Sequence, residues 1–147
     1  MTDLDCAWAS GFFDGEGCVT IVVVNGSWQI RLFVTQNDVR PLYKFQQMFG
    51  GRVDKPNGGG QSSVWMSTSG LAAEVAKLIL PYSIYKKEQL DVIIDVWARF
   101  PALKGGRAIH AANRDERDLA MAIASVQLAN MKKAFVRHED VEEAYNE

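Results

Sequence analysis

The stretch WASGFFDGEG, from Trp8 to Gly17, sets two carboxylates, Asp14 and Glu16, two residues apart among three glycines. Upstream, Leu4, Ala7, Trp8, Gly11, Phe12 and Gly15 fall at i, i+3, i+4, i+7, i+8 and i+11. That spacing predicts an amphipathic helix, ended by Gly17. Both acids then sit in its last turn, where the helix dipole disfavours an anion by roughly 0.3–1 kcal/mol each. A hard divalent cation would offset the cost, because Mg2+ binds through one or two carboxylates together with substrate phosphates. The acids of a helix end are otherwise simply solvated. Ala7, Gly11 and Gly15 also recur every four residues, leaving one face small enough for a second helix to approach closely. The alternative is that this face packs on the chain's own core.

The elements that must position these residues can be read downstream. CVTIVVV and WQIRLFVTQ are β-branched and aromatic runs separated by Asn25, Gly26 and Ser27, which predicts a hairpin. Asp38 suits an N-cap and Pro41 a first turn, and Leu42, Phe45, Met48 and Phe49 form a helical face that stops at Gly50 and Gly51. The pattern then repeats. GRVDKP, a loop over Asn57 to Gly60, and SSVWMST predict a second hairpin, followed by a helix from about Gly70 to Leu80 closed by Pro81. Leu90, Ile93, Ile94, Trp97 and Phe100 predict another helix after Lys86, and Leu119, Ile123 and Val126 one after Arg114. The expected fold is α+β: an αββαββα order whose four-stranded antiparallel sheet carries helices on one face, with C-terminal helices added. One domain is expected over residues 1–134, with an acidic tail over 135–147 whose five acids from His138 onward predict loose order.

At 147 residues and 48% hydrophobic content the chain can bury one sizeable core. It has no apolar run long enough to span a bilayer and no basic segment before an apolar one at its start, so a soluble, intracellular protein of the cytoplasm or an organelle matrix is expected. Cys6 and Cys18 suggest neither a zinc site nor a disulfide framework. The net charge of −2 argues against binding nucleic acid, but its distribution is uneven. Residues 1–17 hold four acids and no base, and residues 114–147 eight acids and five bases, so the ends carry −7 and the middle +5.

WASGFFDGEG resembles the motif of the LAGLIDADG homing endonucleases in its form ending Asp-Gly-Glu-Gly. Gly11, Asp14, Glu16 and Gly17 match the motif's glycine, first acid, last acid and final glycine. The similarity extends over residues 5–133. In homodimeric members a glutamine ends the second strand, an arginine follows four residues later, and a lysine lies past the proline closing the third helix. Here those positions hold Gln36, Arg40 and Lys86. The resemblance implies that Glu16, with the Gly15 carbonyl nearby, holds Mg2+, which Mn2+ or Ca2+ replaces in the site, Ca2+ without cleavage. It implies that Gln36 positions the attacking water, and that Arg40 and Lys86 stabilise charge on the phosphate. It also implies a homodimer joined through Ala7, Gly11 and Gly15, with no membrane association. The substrate implied is a long, pseudo-palindromic DNA duplex cut in both strands with 3′ overhangs, as in the mobility of an intron or similar element. The alternative is a non-cleaving nucleic-acid-binding protein of the same fold, an intron maturase or a regulator.

A two-stranded ribbon fits the major groove, so base readout is expected on the sheet face away from the helices. With Ile30, Leu32 and Val34 inward, Gln29, Arg31 and Phe33 point outward, and the same parity puts Thr20, Val22 and Val24 outward. Arg31 suits a guanine edge, Gln29 an adenine edge, and the valines thymine methyls. In the second hairpin, taking Val53, Val64 and Met66 as core predicts Arg52, Asp54, Ser63 and Trp65 as outward readers.

Overall fold

The structure, a computed structural model, describes residues 1–100 and 114–145. Thr2 opens the first helix, α1 (Asp3–Glu16), with a reciprocal cap. Its hydroxyl accepts the Asp5 N–H at 3.1 Å, and the Asp5 carboxylate accepts the Thr2 N–H at 2.9 Å. α1 ends as the backbone turns extended at Gly17, a position that requires glycine because a Cβ there would fall 2.3 Å from the Phe13 ring. β1 (Gly17–Val24) and β2 (Ser27–Gln36) follow, joined by Asn25 and Gly26 at φ 51° and 77°, the two positive values that a tight hairpin turn requires.

α2 (Arg40–Phe49) leads into a short strand, β3 (Arg52–Asp54), then β4 (Ser63–Thr68), α3 (Ser69–Ile79), a 3-10 turn over Leu80–Tyr82, and α4 (Lys87–Arg99). The cap position of α2 falls on Val39, but the Asp38 carboxylate still accepts the Arg40 N–H at 3.0 Å, so the expected capping acid acts one residue early. α5 (Arg114–Lys133) and α6 (His138–Tyr145) complete the described chain. α6 replaces the loose order expected from the acid-rich end, with the Arg137 N–H bonded to Asp140 at its start. Glu147, the last acid of that segment, lies outside the described residues.

The sheet is four-stranded and antiparallel, as expected, and its strands lie in the order β1-β2-β4-β3. Val19, Ile21, Ile30, Leu32, Val34 and Trp65 form its inner face, buried against Phe13 of α1, Phe45 of α2, the alanines of α3, Ile93 of α4 and Met121 of α5. Burying each large apolar side chain there contributes about 1.5–3 kcal/mol. The α5 helix arises where Leu119, Ile123 and Val126 predict it, but it buries Met121, Ala124 and Leu128 instead. Leu119, Ile123 and Val126 stay at least half exposed, because they lie on the opposite side of the same 3.6-residue repeat. Among the described residues no helix is long and apolar enough to cross a membrane.

Candidate active site and nucleic-acid interface

The buried face of α1 is Cys6, Ala9, Ser10 and Phe13, and the Ser10 hydroxyl fixes it to α3 by donating to the Ile79 carbonyl at 2.8 Å. The stripe that signalled the helix in the sequence is therefore largely its other side. Leu4 is 83% exposed and Trp8 40%, Ala7 is half-buried, and Gly11 and Gly15 are exposed. A Cβ added to either glycine would meet nothing within 4 Å, so these glycines do not serve packing among the described residues.

At the C-terminal end of α1 the two acids part company. The Asp14 carboxylate accepts the Ser83 hydroxyl at 2.6 Å and the N–H groups of Ile84, Tyr85 and Lys86 at 2.7, 3.1 and 3.1 Å. Burial opposes its ionisation, but the Ser83 hydroxyl and the three amides outweigh burial and hold its carboxyl below the usual range. Asp14 is thus the clasp of the turn that leads into α4. The same turn is closed from the other side by the Lys86 ammonium, which donates to the Asp14 carbonyl at 2.6 Å and lies 4.8 Å from the centre of the Tyr85 ring. Lys86 is buried at 7% exposure. Burial lowers its pKa, the Lys132 charge lowers it further, and Asp14, Cys18 and Glu16 act against that fall.

Glu16 is exposed and has, among the described residues, one side-chain partner, the Gln36 amide, which donates to it at 2.8 Å from the end of β2. The ends of α1 and β2 meet there because β1 starts at Gly17 and pairs antiparallel with β2, Gly17 opposite Val34. Of the four residues named for chemistry, the fold brings Glu16, Gln36 and Lys86 to one end of α1. Arg40 is not joined to them. It is exposed and paired with Asp38 through two guanidinium nitrogens, and that pairing holds the Asp38 carboxyl at about 2.

Among the described residues no cluster of three or more His, Cys, Asp or Glu could hold a metal within one chain. The donor set at Glu16 is nonetheless of the hard, oxygen type that suits Mg2+, one open carboxylate with room for water and phosphate oxygens, while Asp14 has its lone pairs occupied.

On the outer sheet face, Thr20, Val22, Val24, Gln29, Arg31 and Phe33 alternate with the buried residues as expected and are half-buried. The Arg31 guanidinium donates to the Gln29 amide oxygen at 2.7 Å, and that of exposed Arg52 to Asp54 at 2.9 Å. Ser63 and Trp65 do not face outward. They are 5% and 0% exposed, and the Trp65 indole donates to the Gly50 carbonyl at 2.9 Å, packed 4.9 Å from the Phe45 ring. The register explains the correction: Val53 pairs directly with Trp65, and directly paired residues share a face. Val53 and Trp65 point inward together, so Val64, Met66 and Thr68 take the outer, half-buried positions. Sequence reasoning missed these three and the Ser83 part of the clasp, neither of which carries a motif of its own.

The model of the LAGLIDADG endonuclease family matches residues 9–93 of the chain. No curated protein sequence matches it. Among solved structures, the homing endonuclease I-CvuI in complex with its target in the presence of Ca has 21% identity and a TM-score of 0.72, covering 96% of this chain and 92% of that one. The archaeal intron-encoded homing endonuclease I-Vdi141I complexed with DNA has 16% identity and a TM-score of 0.68, covering 98% and 94%. I-SmaMI bound to uncleaved DNA target has 18% identity and a TM-score of 0.56, with 97% of this chain matching 49% of that one. These likenesses are of fold. With the αββαββα order, the Asp14 clasp and the Glu16–Gln36 contact already described, the family match over more than half of its length makes this chain a member of the LAGLIDADG endonuclease family.

Proposed function

We propose that the chain is one subunit of a homodimeric, metal-dependent endonuclease that hydrolyses both strands of a long, pseudo-palindromic DNA duplex. One observation carries the reading. The exposed Glu16 carboxylate, bonded among the described residues only to the Gln36 side chain, stands at the end of a helix where a Cβ added at Gly11 or Gly15 would meet no described residue within 4 Å. A second copy packed on that face brings two such carboxylates together at a two-fold axis, one for each scissile phosphate. The match of the whole chain to about half of I-SmaMI supports a functional unit built from two such folds.

Glu16, with the Gly15 carbonyl, would hold the divalent ion, which neutralises charge on the phosphate and lowers the pKa of bound water. Gln36, its nitrogen committed to Glu16, keeps an amide oxygen to orient the attacking water. Lys86, held against Asp14, offers its remaining donors to the phosphate as charge develops. On the outer sheet face Arg31 and Gln29 read base edges, with Arg52 and Asp54 at the far edge and Thr20, Val22, Val24, Phe33, Val64 and Met66 supplying contacts suited to thymine methyls. A non-cleaving member of the same fold is the second reading, favoured by one observation: the exposed Arg40 guanidinium is paired with Asp38.

The test is a cleavage selection on a random duplex library with Mg2+ or Mn2+. Recovery of cut, roughly palindromic sequences supports the enzyme. Recovery of bound sequences that are never nicked transfers the conclusion to the second reading.

A further inference from the structure

Five chain segments converge at the end of α1: Asp14 and Glu16 from the helix itself, Gln36 from β2, Cys18 from β1, Lys86 from the turn before α4, and Lys132 from α5. The last was not found by any reading of the sequence. Lys132 and Lys133 both lie in the last turn of α5, where cations complement the helix dipole, and that accounts for their presence in the turn. It does not account for the direction of Lys132. Its ammonium reaches across to β1 and ends 3.4 Å from the Cys18 sulfur, two residues beyond Glu16, and its charge adds to the lowering of the Lys86 pKa. A thiol sulfur is a weak acceptor for a group with three donors. Among the described residues no carboxylate lies within ion-pair distance of Lys132. Lys133, exposed on the same turn, makes no hydrogen bond to the site.

We propose that Lys132 is a second phosphate-binding lysine of the active site, acting beside Lys86 on the backbone phosphates at the cleavage point. A cation placed next to another cation is unfavourable in the free protein, and a phosphate between them removes that repulsion. Lys132 therefore gains most when substrate is bound, whereas Lys86 is already fixed to the Asp14 carbonyl. The inference rests on the nuclease reading and adds a substrate contact from a helix outside the motif.

The experiment measures single-turnover cleavage in Mg2+ and the salt dependence of duplex binding in Ca2+, on a duplex recovered by the cleavage selection or, failing cleavage, by binding selection. Wild type is compared with Lys132→Met, Lys132→Arg and Lys133→Met. Lys132→Met is expected to slow cleavage by roughly tenfold or more and to reduce the salt slope by about one per protomer. Lys132→Arg should restore most of both, and Lys133→Met should change the rate less than twofold. Thermal melting of each variant separates these effects from misfolding, and the conservative Arg variant keeps the charge should the Met variant melt early. An active wild type with Lys132→Met unchanged, or with Lys132→Met and Lys133→Met equally impaired, overturns the inference and leaves the nuclease reading standing. A wild type that binds but does not cleave overturns the nuclease reading, and the salt slope alone then decides the phosphate contact. A wild type that binds no duplex overturns both.

Discussion

Asp14 and Glu16 share one helical turn, one charge and one unfavourable dipole, yet their surroundings are opposite. Asp14 accepts four hydrogen bonds from the segment 83–86 and is spent on holding that turn. Glu16 is exposed, with a single amide for a partner among the described residues. The first has its compensation built into the fold, and the second has most of its coordination capacity left for something the chain does not supply. A helix end with two carboxylates thus divides the work: one acid builds the site and positions Lys86, and the other is left to act in it.

This division can be broken from either side. The largest effect is expected from Glu16→Gln, which keeps the side-chain size and removes the charge that holds the metal. Cleavage should fall on the order of a thousandfold or more in single-turnover assays, with duplex binding retained. Its melting temperature should stay near that of wild type, since no packing depends on the carboxylate. Lys86→Met removes a cation fixed at the end of α1 and should slow cleavage by about a hundredfold, with a smaller change in binding measured by titration in Ca2+.

Asp14→Asn should show the reverse pattern, stability lost first and activity second. It puts an amide where four donors converge, at a cost of about 1–3 kcal/mol, near the lower figure because the site is open to water. Cleavage should drop about tenfold through the displaced turn and Lys86. The folded-state pKa of Asp14 is depressed, so its contribution is present above the unfolded value of about 3.9 and lost as pH falls through the lower folded value. The gap in melting temperature between wild type and Asp14→Asn should therefore be widest near neutrality and close in acid. The smallest effect on rate is expected from Arg40→Ala, less than about tenfold, because that guanidinium is neutralised by Asp38 and solvated.

Gly11→Leu addresses the helix face rather than its end. It places a side chain in open space and should leave the monomer folded while lowering the sedimentation mass from two chains to one. A wild type that sediments as one chain would remove the basis for two converging Glu16 carboxylates.

What was legible in the sequence, and what was not, follows from the range of the forces involved. The αββαββα order could be read because turn residues and apolar periods are local, as at Asn25 and Gly26. The outward parity of β1 and β2 could be read because five inner positions, Val19, Ile21, Ile30, Leu32 and Val34, alternate unambiguously. β3 is three residues long and offers one inner position, so the parity of β4 is decided by the pairing of Val53 with Trp65 and by the tilted ring contact of Trp65 with Phe45. Neither contact leaves a trace in local spacing. Of the residues named by family resemblance, Gln36 contacts Glu16 and Lys86 contacts the Asp14 carbonyl, whereas Arg40 pairs with an acid two residues away. Asp14 and Lys132 were out of reach for the same reason as Trp65: their partners lie about 70 and 114 residues away in the chain.

In the proposed assembly, two copies of this chain bring two Glu16 carboxylates to bear on two strands. Mapping the strand ends left by the wild-type protein on a duplex recovered by selection, in Mg2+, tests it most directly. One break is expected in each strand, at positions related by the pseudo-two-fold axis of the site, and none with Glu16→Gln. Breaks confined to one strand, equal cutting by Glu16→Gln, or tight binding without any break in Mg2+ or Mn2+ would contradict it.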